Sequence, residues 1–325
     1  MKKKIMKKKI MAVLMAAVMV MSMFAGCGNG GKKEKVYNIG ICQLVQHVAL
    51  DAATQGFEDA LKEKLGDAVK FDVQNAQGDS ATCSTIVNQF VAENVDLILA
   101  NATAPLQAAA AGTTTIPILG TSITDYASAL DIDGWTGVTG RNISGTSDLA
   151  PLSEQANMLV ELFPDAGTVG VLYCSAEANS QYQADVIKSE LEAKGLTVEF
   201  FTFVDTNDVA TVAQNAADSV DVIYLPTDNT VASNTEIIDS ICRPAGVPII
   251  AGEEGICATC GVATLSISYY DLGYATGEMA YEVLVNGKDI STLAVEYAPA
   301  VTKKYNAEIA AEFGIEIPSD YEAIQ

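Results

Sequence analysis

Val36-Tyr37-Asn38-Ile39-Gly40-Ile41-Cys42-Gln43-Leu44 is a short apolar run closed by polar residues, and the period changes directly after it. Over residues 50–65, Phe57, Leu61 and Leu65 recur every four positions. Lys62, Glu63 and Lys64 take the other face, and Gly66 follows. The first pattern predicts a buried strand, and the second an amphipathic helix stopped by glycine. Working outward, strands are expected over 69–73, 97–99 and 117–119, with helices over 84–93 and 104–111. Strands and helices alternating at this spacing argue for βαβ units and a parallel sheet.

The alternation then repeats. Strands are expected over 169–174, 198–203, 222–225 and 248–251, with a helix over 184–194 ended by Gly195. The second series follows the first at an offset of about 125–130 residues, a repeat of pattern without residue identity. The fold class is therefore α/β, with two doubly wound Rossmann-like lobes joined by a hinge. Ligands of open α/β sheets sit beyond the carboxyl ends of the strands. Two such sheets facing each other would bring those loops to one cleft. The loops are residues 43–47, 75–79, 101–103 and 121–125 in the first lobe, and 177–180, 227–230 and 252–254 in the second. Nearly all of their residues are polar or small.

The amino terminus has another character. Lys2, Lys3, Lys4, Lys7, Lys8 and Lys9 precede an apolar run over 10–25. That run is roughly 16 residues, short of the ~20 that span a bilayer. The pattern is that of a secretory signal peptide over 1–26. Phe24-Ala25-Gly26-Cys27 resembles a bacterial lipobox, with Phe in place of the usual Leu, which makes Cys27 the lipidation site. Two acyl chains suffice for stable attachment. Residues 27–35 are polar and Gly-rich and form a tether. The chain carries 19 basic and 41 acidic residues, a net charge of −22, and six of the basic ones lie in the leader. So acidic a chain does not suit nucleic acid, whose binding depends on neutralising phosphates. The signal peptide also stands where a regulator of this shape would carry its DNA-reading helices.

His47 is the one histidine, which disfavours His-based catalysis and zinc chemistry. No GxSxG elbow, P-loop or HExxH occurs, and no dinucleotide fingerprint follows the first strand. Glu253-Glu254 adjoin in sequence and so point different ways, unlike a glycosidase pair. No enzyme, metal or cofactor is expected. Cys42 and Cys174 fall in buried strands, Cys83 and Cys242 in helices as isolated thiols. Cys257-Ala258-Thr259-Cys260 is either a local disulfide or two ordinary thiols.

At the strand-end loops the chain resembles the ABC-transporter substrate-binding proteins that include bacterial tryptophan- and tyrosine-binding lipoproteins. The matching blocks are Ile39-Gly40-Ile41-Cys42-Gln43 with His47-Val48-Ala49-Leu50-Asp51, Asn75-Ala76-Gln77-Gly78-Asp79, and Asn101-Ala102-Thr103-Ala104-Pro105 with Gln107-Ala108-Ala109-Ala110. Thr124-Asp125, Thr136-Gly137-Val138-Thr139-Gly140, Glu177-Ala178-Asn179-Ser180, Pro226-Thr227-Asp228-Asn229 and Tyr270-Asp271-Leu272-Gly273 continue the match. It runs from about Tyr37 to Asn306. Departures are Val48, where the family often has Pro, Arg141-Asn142, and the segment 252–260. The resemblance implies a type I periplasmic-binding-protein architecture. Its crossings would fall near 144–151, near 263–268 and near Asp289. Lobe I is then 36–145 plus 266–288, and lobe II 146–265 plus 289–325.

An amino-acid ligand needs a carboxylate for its ammonium and donors for its carboxylate. Arg141 is a possible clamp, and otherwise hydroxyls and helix N-termini serve. Asp125 from the first lobe and Asp228 from the second are expected at the ammonium. Ser122, Thr103, Asn179 and Ser180 are expected at the carboxylate. Gln46, His47, Thr124, Glu177, Thr227 and Asn229 complete the site, and Tyr126, Tyr173 and Tyr269 are candidate aromatic walls. The expected function is an extracytoplasmic, lipid-anchored carrier of an aromatic amino acid (Trp, Tyr or Phe). It would be a monomer that docks on an ABC permease. A surface receptor that senses the ligand, or a carrier of another amino acid, nucleoside or sugar, is the alternative.

Overall fold

The computed structural model describes residues 35–324. The leader, Cys27 and nearly all of the tether lie outside the described residues. Ile39, Gly40, Ile41 and Cys42 are all buried, the pattern of a strand covered on both faces. The first series runs β1 (Tyr37–Gln43), α1 (Val48–Leu65), β2 (Val69–Asn75), α2 (Ser80–Glu93), β3 (Leu97–Asn101), α3 (Thr103–Gly112), β4 (Ile118–Ile123), α4 (Tyr126–Ala129) and β5 (Ile143–Ser147). The second runs α5 (Leu152–Leu162), β6 (Thr168–Cys174), α6 (Ala178–Ala193), β7 (Thr197–Phe203), α7 (Val209–Ala217), β8 (Val222–Leu225), α8 (Asn229–Ala232), α9 (Thr235–Ala245), β9 (Ile249–Ala251), α10 (Glu254–Cys260) and β10 (Ala263–Ser266). After these come α11 (Tyr269–Leu284), β11 (Glu296–Tyr297), β12 (Thr302–Tyr305), α12 (Ala307–Glu312) and β13 (Glu322–Ala323).

Two sheets result. The first has the order β11-β5-β4-β3-β1-β2, with every pair parallel. The second has the order β13-β12-β10-β9-β8-β6-β7, and only β10 and β12 run antiparallel. The strand order reverses between β1 and β3 in one sheet and between β6 and β8 in the other. These are the switch points at which the crevice of a doubly wound sheet opens.

Close packing fixes the late helix to the first sheet. α11 lies against α1, and a Cβ on Gly273 would come within 1.9 Å of the Ala53 carbonyl oxygen. Thr276 of α11 also shares a 2.9 Å hydroxyl contact with Thr146 of β5. The chain passes between the sheets at residues 148–151, 267–268 and 298–301. The third passage comes later than the Asp289 expected from the sequence. Leu293 and Val295 are buried in the cores around the first sheet, and β11 pairs with β5. Residues 290–297 therefore belong with the first sheet.

The six cysteines among the described residues are free and buried. Cys257 and Cys260 sit one turn apart on α10 as unpaired thiols. Cys83 is not isolated, because its thiol lies in hydrogen-bonding contact with that of Cys42 across the β1–α2 interface.

Candidate functional site

Strand ends from both sheets converge on one closed cavity. It is lined by His47, Leu50, Ser122, Thr124, Asp148, Asn179, Thr227, Asp228, Asn229, Ala232, Glu253 and Tyr269. The cavity has a volume of about 10 Å³. That is room for about one water. The two sheets are shut on each other, and a larger occupant requires them to part at the hinge.

The first lobe supplies a strained serine and a held acid. Ser122 has φ of +57°, a left-handed conformation costing about 1–3 kcal/mol for such a residue. β4 shifts register against β5 between Gly120 and Ile123 at this point. The Ser122 hydroxyl is buried without a hydrogen-bond partner. Asp148, one residue past β5, is 4% exposed. Thr124 Oγ1 donates to its Oδ1 at 3.0 Å, and the Tyr269 hydroxyl donates to its Oδ2 at 3.0 Å. Burial raises the Asp148 pKa above the usual carboxylate range.

The second lobe supplies two more acids, each at a helix start. Asp228 caps α8, where Oδ1 accepts the Val231 N–H at 2.8 Å and Oδ2 accepts the Cys174 N–H at 2.7 Å. Burial, and then the nearby Glu177, push its pKa well up. Glu253 caps α10, accepting the N–H groups of Gly255 and Ile256 at 2.6 Å each. Burial raises its pKa to about 7 despite those bonds. The adjacent Glu254 turns the other way and pairs with Lys304 at 2.8 Å. The two acids thus diverge, as their adjacency demands. One contact across the lobes closes the rim, His47 Nε2 to Asn229 Oδ1 at 3.2 Å. Burial lowers the His47 pKa and favours the neutral ring.

Of the expected site residues, His47, Ser122, Thr124, Asn179, Thr227, Asp228 and Asn229 come together on this cavity. Five do not line it. Asp125 is half-buried and caps α4, with Oδ1 accepting the Ser128 N–H at 2.7 Å. Glu177 is occupied by the N–H groups of Asn229 and Thr230 at 3.0 and 2.8 Å. Ser180 is fully buried behind Asn179 and bonds Asp228. Thr103 is buried at the start of α3, and Gln46 is exposed on an outer groove. Arg141 is exposed and also outside the lining. Among the tyrosines, Tyr126 is buried on Trp135 with its hydroxyl on the Gly120 carbonyl, and Tyr173 is buried against Phe200. Only Tyr269 reaches the cavity. Asp148 and Glu253 complete it. Asp148 lies one residue after β5, a strand that the sequence did not mark, in a stretch that reads as hinge.

No group of three or more His, Cys, Asp or Glu side chains among the described residues could hold a metal ion. No helix among them is long and apolar enough to cross a membrane.

A family model described as ABC transporter substrate binding protein matches residues 38–323. The tyrosine-binding protein of Clostridioides difficile (strain R20291) is 36% identical over 302 residues, covering 89% of this chain and 87% of its own. An ABC domain in complex with L-Trp from Streptococcus pneumonia superposes with a TM-score of 0.85 at 33% identity, covering 90% of this chain and all of that one. The ligand-free, open structure of a substrate-binding protein with adhesive properties from Clostridium difficile gives 0.68 at 36% identity, covering 89% and 99%. The more similar sequence is thus the less similar shape, and the present arrangement of lobes is nearer to the ligand-bound relative. The chain belongs to the ABC transporter substrate-binding proteins, with the two-lobed type I architecture.

Proposed function

We propose that this protein captures an aromatic amino acid between its lobes and delivers it to the permease of an ABC importer. The observation that carries this is the closed cavity with three buried carboxyls, Asp148, Asp228 and Glu253, and the unpartnered Ser122 hydroxyl. An ammonium entering there meets acceptors from both lobes. A ligand that bridges the lobes binds the closed state better than the open one, and this difference drives closure. Tyr269 and Leu50 offer the flat and apolar surfaces for a ring. The tyrosine and tryptophan associated with its relatives set the ligand class. His47, Thr124, Asn179, Thr227 and Asn229 shape the walls, while Glu177, Ser180, Thr103 and Asp125 act behind them.

A thermal-shift screen of residues 28–325 against the twenty amino acids, nucleosides and simple sugars tests this. A true ligand at about 100 times its Kd adds about 2.7 kcal/mol of stability. A rise in Tm confined to Trp, Tyr or Phe is expected. A rise with sugars or nucleosides alone would overturn the ligand class.

We also propose anchoring on the extracytoplasmic face of the membrane through lipid on Cys27. Cys27→Ala is expected to move the protein to the soluble fraction, and retention in the membrane pellet would refute the lipid anchor.

A further inference from the structure

Glu177 stands at the start of α6, yet its side chain does not cap that helix. It reaches the start of α8 instead. Oε1 accepts the Thr230 N–H at 2.8 Å and the Thr230 hydroxyl at 2.7 Å. Oε2 accepts the Asn229 N–H at 3.0 Å, Asn229 Nδ2 at 2.6 Å and Asn179 Nδ2 at 3.3 Å. The first N–H groups of a helix have no partner within it, so this carboxylate fixes where α8 begins.

It also fixes the Asn229 amide. Nδ2 faces the carboxylate, and the reversed orientation would set Oδ1 against a group that only accepts. Oδ1 is thereby turned to the first lobe, where His47 Nε2 lies 3.2 Å away. An amide oxygen accepts and does not donate, so the proton of this bond sits on Nε2. His47 is placed by its own backbone, since its carbonyl accepts the Asp51 N–H at 3.0 Å as α1 begins. His47 and Asn229 line the closed cavity from opposite lobes, and Glu177 does not line it. A bond between groups on opposite lobes exists only while the cleft is shut.

Resting on the carrier role proposed above, we infer that Glu177 is a positioning residue. Through Asn229 it holds His47, and this clasp between the lobes sets how long a captured ligand stays. The clasp forms after the ligand has entered, so it slows departure and leaves capture alone. It favours the shut state whichever ligand lies inside.

The experiment is stopped-flow binding of L-tyrosine at pH 8, followed by the emission of Trp135, the chain's single tryptophan. The variants are His47→Phe, which keeps a ring without a donor, His47→Gln, which keeps a donor, Glu177→Gln, and the double variant Glu177→Gln/His47→Phe. His47→Phe and Glu177→Gln should each release tyrosine about fivefold faster, the worth of one hydrogen bond. Capture rates should stay within about twofold. The double variant should release no faster than either single one, because both changes break the same bond. His47→Gln should restore much of the native rate. Circular dichroism checks that each variant is folded. Faster release in His47→Phe with native release in Glu177→Gln would overturn the clasp, since His47 would then act on the ligand itself, and the carrier proposal would stand. Additive effects in the double variant would overturn it equally. If neither tyrosine, tryptophan nor phenylalanine binds, the carrier proposal fails. The clasp is then read from spin labels on Gln77→Cys and Asp205→Cys, which line one groove from opposite lobes. A wider label separation in His47→Phe than in the unaltered pair upholds the clasp, and equal separations overturn it.

Discussion

Two of the hollows that border Glu253 differ in their chemistry, and the larger of the two is the poorer candidate site. The larger holds about 650 Å³ on the hinge side, walled by Val48, Ala52, Ile267, Ala298 and Pro299, with Glu254 and Lys304 at its edge. The smaller is the shut cavity between the lobes. In the larger, the acid is already answered. Glu254 accepts from Lys304 at 2.8 and 3.0 Å and from the Ser266 hydroxyl. In the smaller, three acids are held by neutral donors with no cation beside them, and the Ser122 hydroxyl has no partner at all. Buried polar groups without partners are costly unless a ligand completes them, and such a ligand gains what the protein alone forgoes. Unsatisfied chemistry, not volume, marks the site.

The sharpest way to break this comparison is to remove one acid from each hollow. Asp148→Ala should weaken aromatic amino-acid binding by over 100-fold, because losing one partner of a buried charge pair costs about 3–5 kcal/mol. Glu254→Gln should change affinity by less than about threefold, because it breaks a partly exposed pair with Lys304 worth about 1 kcal/mol or less. Calorimetry on both variants checks this. Equal losses would mean that the hinge-side hollow takes part in binding.

These two acids also show how far the sequence could be followed. Strands β1–β4 and β6–β9 were within reach, because buried strands read as continuous apolar runs and their helices as four-residue periods. Asp228, three residues past β8, and Asn179, in the first turn of the helix after β6, fall on the cavity. Asp125 and Asp148 could not be ranked in the same way, since both are acids just beyond a strand. Asp125 begins α4 and turns its carboxylate to the Ser128 N–H. Asp148 lies where the chain leaves for the other sheet, so no helix claims it, and Thr124 and Tyr269 orient it inward. That choice depends on Tyr269, 121 residues away in sequence. Local pattern carries no such information. The third crossing was misplaced for a related reason. Leu293 and Val295 are short apolar signals whose partners lie in the distant first lobe.

Acidity gives a second test, of intermediate size. Glu253 ionises at about pH 7 in the shut, ligand-free protein, against an ordinary value of 4.5, because burial disfavours its anion. Its contribution to stability is therefore present below pH 4.5 and lost as pH rises through 7. An ammonium beside it favours the anion and lowers that pKa, so binding releases a proton. Asp148, Asp228 and Glu254 are the other acids around it, with the Tyr269 hydroxyl and the Cys257 thiol held neutral by burial. Asp148 and Asp228 act with the same sign. His47, neutral at neutral pH, would gain a repelling charge on acidification. Affinity should fall by about tenfold between pH 8 and pH 6, one proton per ligand, and the slope should flatten in Glu253→Gln. A flat profile in the unaltered protein would remove Glu253 from the ligand.

The smallest effect is expected at Asp125, which the sequence placed beside Asp228 at the ammonium. Asp125 sits near the lobe boundary, close enough to Tyr182 of α6 for its charge to be felt there, yet its carboxylate serves the first turn of α4. Asp125→Ala should lower stability by about 1 kcal/mol, the usual cost of an N-cap. Affinity for the aromatic ligand should change by less than about threefold, since no buried charge loses its partner. Paired melting and calorimetry separate these two outcomes. A loss of tenfold or more in affinity would bring Asp125 to the ligand and displace Asp148 as the first lobe's counter-charge. The two acids would then exchange roles, and the chain's departure from β4, not from β5, would set specificity.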